Sequence, residues 1–169
     1  MLPLRIHRAF CLGPLGNDRP QPTGRPPFRY TLVMERIPPG APSYEEFRAL
    51  LVEMVDEIPP EFMRGLQGVH ALEQEHPEPE FEDVWRMGEY LDPGAQEFLG
   101  GSEGLGRHVA LYYGSFLRVA EGDPAFDWEE EMWETLTHEL RHHVESLAGD
   151  GSLIEEDLLV ASEFPRKER

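Results

Sequence analysis

Residues 135–149 read TLTHELRHHVESLAG, and the way that stretch folds decides how the rest of the chain is arranged. It sits inside a longer run, Trp128 to Ala148, that no proline or glycine interrupts. Asp127 with Glu130 three residues later is a capping-box pattern, and Glu129, Glu130 and Glu131 suit the positive end of a helix. Trp133, Leu136, Leu140, Val144 and Leu147 recur at helical spacing and make one apolar stripe. Gly149-Asp150-Gly151 is a stop signal. One long helix is expected, with that stripe turned to the core.

At ~100° per residue, His138 stands about 200° from Leu136. Glu131, Thr135, His138, His142 and Glu145 then share a second stripe, as on a helix wedged between a core and a cleft. Within this region His138-Glu139-Leu140-Arg141-His142 is an H-E-x-x-H sequence. Residues four apart lie on one face, so both imidazoles can reach one ion. Neutral imidazole suits tetrahedral Zn²⁺. Glu139, beside the first ligand, is placed to take a proton from a metal-bound water. His138 and His142 are therefore the candidate metal ligands and Glu139 the candidate catalytic residue. His143 falls near the apolar stripe and reads as a core-edge histidine with a hydrogen-bond partner.

The chain has 169 residues, 40% of them hydrophobic, which is enough for one domain with its own core. No apolar run approaches the ~20 residues that span a bilayer, so no membrane role is expected. Arg5, His7 and Arg8 break the apolar N-terminus, which argues against a cleaved signal peptide. The single cysteine, Cys11, excludes an intrachain disulfide and points to the cytoplasm. Net charge is −18, and unevenly spread: residues 1–42 carry six arginines against Asp18 and Glu35, a net of +4, leaving −22 for the remainder. Such an acidic surface argues against nucleic acid as a partner.

Residues 1–42, with GPLGNDRPQPTGRPP and RIPPGAP, read as a Pro/Arg-rich arm, with a strand candidate at Phe28–Glu35. Ser43 and Glu46 form a capping box, and Phe47, Leu50, Leu51, Met54, Val55 and Ile58 follow at helical spacing until Pro59-Pro60. Residues 61–66 suggest a short helical turn closed by Gly68, and 69–75 a strand. Residues 81–91 are ambiguous, with a strand candidate at Val84–Met87 running into Gly88-Glu89-Tyr90. Asp92-Pro-Gly is a turn, and the glycine-rich stretch 100–106 a connection. Val109–Tyr113 is the best strand; Ser115–Ala120 continues as a strand or a short helix. After Gly149 a helix restarts, with Ser152 as N-cap and Glu155 as its capping-box partner. The domain spans 43–164, followed by a charged tail at 165–169.

The helix with its proline break, the G-x-Y segment Gly88-Glu89-Tyr90, the segment VALYYGSF and the late THELRHH together resemble the short bacterial zincin-like proteins, zinc metallopeptidases of minimal zincin fold. The resemblance covers roughly residues 43–160, and HELRHH is its specific core. It implies an α+β zincin-like domain, a small twisted sheet packed with helices, one of which bears zinc. In many members a glycine stands three residues after the second histidine and a ligating aspartate three further on; here those positions are Glu145 and Ala148.

The third ligand is open among several acids. Glu145 shares the histidine stripe, and helical side chains lean back toward the N-terminus. Asp150 follows the turn. Glu156 and Asp157 lie on the returning helix, and ~1.5 Å per residue brings Asp157 near the level of the histidines if that helix folds back antiparallel. The leading expectation is the Glu156/Asp157 pair, with Glu145 as alternative.

Three functions fit these features. The first is a zinc-dependent metallopeptidase acting on a peptide or protein substrate, with Val109–Tyr113 at the sheet edge to align it and Tyr112 or Tyr113 beside the oxyanion. The second is a non-catalytic zinc-stabilised zincin-like binding domain with a closed four-ligand site. The third is an acidic interaction module in which the H-E-x-x-H is incidental.

Overall fold

The helix expected after Ser43 forms as α1 (Tyr44–Glu57) in a computed structural model of the chain, which describes residues 38, 40–92, 106–149 and 152–166. Its capping box is complete: the Glu46 N–H donates to the Ser43 hydroxyl, and the Ser43 N–H donates to the Glu46 carboxylate at 2.7 Å. Donors that a first turn leaves orphaned are thereby satisfied. Extended Ile58 and Pro59-Pro60 end the helix, since proline brings no N–H and crowds the residue before it.

Residues 60–65 make turns rather than a helix, and Gly65 closes them at φ +84°, a left-handed conformation that suits glycine. Strand β1 (Leu66–Leu72) therefore begins three residues earlier than the 69–75 expected, with Gly68 inside it. The ambiguous stretch yields its strand at the end, β2 (Gly88–Leu91), and β3 runs from Arg107 to Tyr112. The sheet order is β1-β3-β2, β1 parallel and β2 antiparallel to β3. Val69 pairs with Val109 and Ala71 with Leu111; on the other side Gly88 pairs with Leu111 and Tyr90 with Val109. This corrects the placing of the Val109–Tyr113 strand at the edge. It is the central strand, and Val109 to Tyr112 are all buried, as a strand paired on both sides and covered requires. The edges belong to β1 and β2 among the described residues.

Ser115–Ala120 is helical, within α2 (Tyr113–Gly122). The long helix forms as α3 (Trp128–Ala148): the Asp127 side chain accepts from the N–H groups of Glu129 and Glu130, and Gly149 caps the far end at φ +70°. Its apolar stripe needs correction. Met132, Leu136 and Leu140 are buried, but Trp133, Val144 and Leu147 are exposed, and Thr135, Glu139 and His143 lie inside instead. The cause is β2, which docks on the Glu139–His143 side and turns the helix toward it. Helix α4 (Ser152–Ala161) follows, with Ser152 as a helical residue rather than its cap.

Phe47, Phe116, Leu111, Met132 and Leu136 are the fully buried centre of the core, between the sheet and α1, α2 and α3. A smaller cluster of Phe81, Ala161 and Phe164 fastens the end of α4. No helix among the described residues is long and apolar enough to cross a membrane. Cys11, the strand candidate at 28–35, the turn beyond Asp92, the glycine-rich residues 100–105, Asp150 and residues 167–169 lie outside the described residues.

Phe47 stacks its ring edge 5.1 Å from Phe116 and 5.3 Å from Tyr113, centroid to centroid. Phe47→Ala is expected to lower the unfolding free energy by about 3–5 kcal/mol in a urea titration. Val52→Ala, on the exposed side of α1, should stay within about 0.5 kcal/mol. Equal losses for the two would show that α1 is not packed as described.

Candidate metal centre

Helices α3 and α4 bring three side chains to one point. His138 and His142 leave α3 on the same face, and their Nε2 atoms stand 3.1 Å apart. The Oδ2 atom of Asp157 on α4 lies 2.9 Å from Nε2 of His142 and 3.3 Å from Nε2 of His138. His142 and Asp157 are buried and His138 is half-buried. Among the described residues this is the one group of three or more His, Cys, Asp or Glu side chains arranged to hold a metal ion.

The donor set fits zinc. Ligand atoms ~2.0–2.1 Å from a tetrahedral ion are about 3.3 Å from one another. The three separations here outline one face of such a tetrahedron, slightly contracted. Two imidazole nitrogens and one carboxylate oxygen are borderline-soft and hard donors of the kind zinc accepts, and three protein ligands is the number in catalytic zinc sites.

The local electrostatics follow from the same contacts. Burial pushes the His138 imidazole down, but its bond to Asp157 and the charges of Glu139 and Asp157 outweigh that and leave its pKa above the ordinary value. Burial pushes Asp157 up, and the hydrogen bonds and charges of His138 and His142 outweigh it, holding the carboxyl below its ordinary value.

Asp157 is placed by anchors on both sides of it. The Leu153 N–H donates to the Glu145 carboxylate at 2.9 Å, and Leu153 itself is buried. At the far end Phe164 packs on Phe81, ring centroids 5.7 Å apart. Glu145 is thus engaged in holding the start of α4 and lies outside the cluster. Glu156 points away, to Arg141 at 3.9 Å, where both side chains are exposed.

Glu139 is fully buried on the side of α3 that meets β2. The G-x-Y segment is that strand, and it lies along the helix. The Tyr90 hydroxyl is 3.3 Å from Nδ1 of His143, and Ser146 donates to Asp92 at 2.5 Å. Nε2 of His143 lies 3.0 Å from the Arg64 carbonyl, which can only accept, so that nitrogen carries the proton. His143 is therefore a core histidine with partners, as its position suggested.

Both tyrosines of β3 and α2 have committed hydroxyls. Tyr113 donates to the Pro42 carbonyl at 2.7 Å inside the aromatic core. Tyr112 donates to Glu89 at 2.7 Å, and burial, then the Glu89 bond and charge, raise its pKa, so it stays protonated. Glu89 also accepts from Arg86 at 2.6 Å, and Arg86 donates to buried Glu78 at 2.7 Å. Sequence reasoning missed this network. Glu78, Arg86 and Glu89 lie in a stretch with no clear period, and only the burial of Glu78 and Arg86 reveals the network.

A family model for zincin-like metallopeptidases matches residues 66–158, from the first residue of β1 to just past Asp157. The solved structure of a conserved hypothetical protein from Thermo thermophilus is 60% identical, covers 63% of this chain and 98% of its own, and superposes with a TM-score of 0.57. No curated protein matches.

In the metal-free chain the cluster has a pH window. The raised His138 pKa contributes stability that is full below its unfolded value and lost as pH climbs through the folded one. The depressed Asp157 pKa contributes stability present above its unfolded value and lost as pH falls through the folded one. Thermal unfolding after chelation should therefore show the pair's largest effect between about pH 4 and pH 6.5. Asp157→Asn should flatten that dependence; a profile identical to wild type would contradict the pairing.

Proposed function

We propose, since the chain belongs to the zincin-like metallopeptidase family, that it is a zinc-dependent peptidase in which His138, His142 and Asp157 hold the metal and Glu139 is the general base. One observation carries the reading: three donor atoms from two helices converge to 2.9–3.3 Å, and a carboxylate follows the first of them on the same helix. When bound, zinc supplies a Lewis acid that polarises a peptide carbonyl and lets water lose a proton near neutral pH. Glu139 would receive that proton on its carboxylate as the water oxygen bonds to the carbonyl carbon, and return it to the leaving nitrogen as the C–N bond breaks. His138 and His142 serve as ligands in their neutral form, so metal uptake displaces the proton that Asp157 favours on His138.

Strand β2 supports a way of aligning the substrate. It is antiparallel to β3, forms a sheet edge among the described residues, and touches the helix that carries Glu139. An extended peptide added to that edge would run past the base, held by main-chain hydrogen bonds. A purely structural zinc would call for a fourth protein ligand. Glu145 and Glu156 are both turned to other partners, which favours the catalytic reading.

Metal analysis of the purified protein should find about one zinc per chain, as a three-ligand site of this type takes a single ion, and His142→Ala should lose it. Glu139→Gln should keep the zinc while hydrolysis of a peptide library falls on the order of 10²–10⁴-fold, the usual worth of a general base. A Glu139→Gln protein that cleaves at the wild-type rate would remove Glu139 from the mechanism.

A further inference from the structure

Strand β2 and helix α3 share a repeat. Two strand residues advance about 6.6–6.8 Å, and three to four helix residues about 4.5–6 Å. Gly88 and Tyr90 on one face of β2, and Asp92 just past its end, accordingly fall opposite Glu139, His143 and Ser146. Two of these contacts are polar. The third is a missing side chain. A Cβ on Gly88 would lie 2.6 Å from Cγ2 of Thr135, 3.0 Å from Cγ of Glu139 and 3.2 Å from its Oε1.

Backbone conformation does not demand glycine at this position. Among the described residues the glycines with positive φ are Gly40, Gly65 and Gly149, whereas Gly88 is an ordinary ladder residue paired with Leu111. What the position demands is space. A methyl group there forces a neighbour to move, and the neighbours differ in how far they can. Thr135 is β-branched and stiff at χ1. The helix backbone is held by the Tyr90–His143 and Asp92–Ser146 contacts further along. Glu139, unbranched and with three rotatable bonds, is the group that yields. His138 and His142 meet Asp157 of α4, and the three atoms nearest a Cβ at Gly88 belong to Thr135 and Glu139 instead.

We propose that Gly88 is a positioning residue: the absence of a side chain at this point sets where the Glu139 carboxylate stands beside the metal cluster. The inference rests on the reading of Glu139 as general base and deepens it. It gives the glycine of the G-x-Y segment a task separate from holding the metal and separate from folding the strand.

The test uses the full-length, zinc-loaded protein. Gly88→Ala should keep wild-type zinc stoichiometry and KM within about threefold, while kcat falls roughly 10²-fold, the cost of misplacing a catalytic group by about 1 Å. Adding Thr135→Ser removes the atom in the 2.6 Å contact and should restore most of that loss, with Thr135→Ser alone near wild type. Unchanged kcat in Gly88→Ala overturns the proposal, as does loss of zinc, and as does a double variant no better than Gly88→Ala. If Gly88→Ala does not fold, the double variant is compared with Thr135→Ser alone: a residual kcat loss of about tenfold or less with zinc retained supports the proposal, and a loss of about 10²-fold or more, or loss of zinc, overturns it. If wild-type protein cleaves no peptide, the catalytic reading fails separately, and crystal structures of Gly88→Ala decide the positional claim. A Glu139 carboxylate displaced beside an intact cluster supports it; one left in place overturns it.

Discussion

The rotation of α3 about its own axis is the constraint on which this structure depends. One helix must give Met132, Leu136 and Leu140 to the core, Glu139 and His143 to β2, and His138 and His142 to α4. At ~100° per residue these three demands leave little angular freedom. Apolar burial alone would set the angle loosely, because Trp133, Val144 and Leu147 offer a competing stripe. His143 removes the ambiguity. It is fully buried with both ring nitrogens near a partner, and a buried imidazole turned away from those partners would cost about 1–3 kcal/mol for each group left unsatisfied. The angle that satisfies His143 is the angle that points His138 and His142 at Asp157.

What could be read from the sequence was local. The caps at Ser43 and Asp127, the stop at Gly149 and the pair of histidines one turn apart all depend on residues within a few positions of one another, and all appear as expected. Asp157 was within reach as well, because a short turn and a helical rise fix its level. The rest depended on distant partners. Glu139 and His143 are inside because of Gly88, Tyr90 and the Arg64 carbonyl, which no periodicity in residues 128–148 can announce. Trp133, Val144 and Leu147 read as core for the same reason in reverse. The central place of β3 was hidden too, since an apolar strand looks alike at the middle and at a well-covered edge.

Glu145 illustrates how composition misleads in a chain with 33 acidic residues. It lies on the histidine stripe, one turn beyond His142, and by helical spacing alone it is a good ligand. The structure uses it for the backbone of the next helix, accepting from Leu153 N–H, a donor that the first turn of α4 would leave orphaned. A carboxylate near a positive helix end is stabilised there, and it aims α4 at the cluster. Glu145 contributes to the site by delivering Asp157 rather than by touching what the site holds.

Core and centre are consequently fastened in different ways. The sheet, α1, α2 and α3 are joined by buried apolar side chains that owe nothing to a metal. Helix α4 is joined by less: Leu153, the Phe81–Phe164 cluster, one capping bond and the Asp157 contacts, while Ile154, Leu158 and Leu159 on its outer side remain exposed. A metal held by His138, His142 and Asp157 would tie this last helix to a framework already complete without it. Its binding energy would then go into closing α4 over the histidines rather than into folding the domain. In the proposed enzyme the candidate base and two candidate ligands would stand on α3, which the core buries, and the third would arrive on α4, which is held by fewer buried side chains.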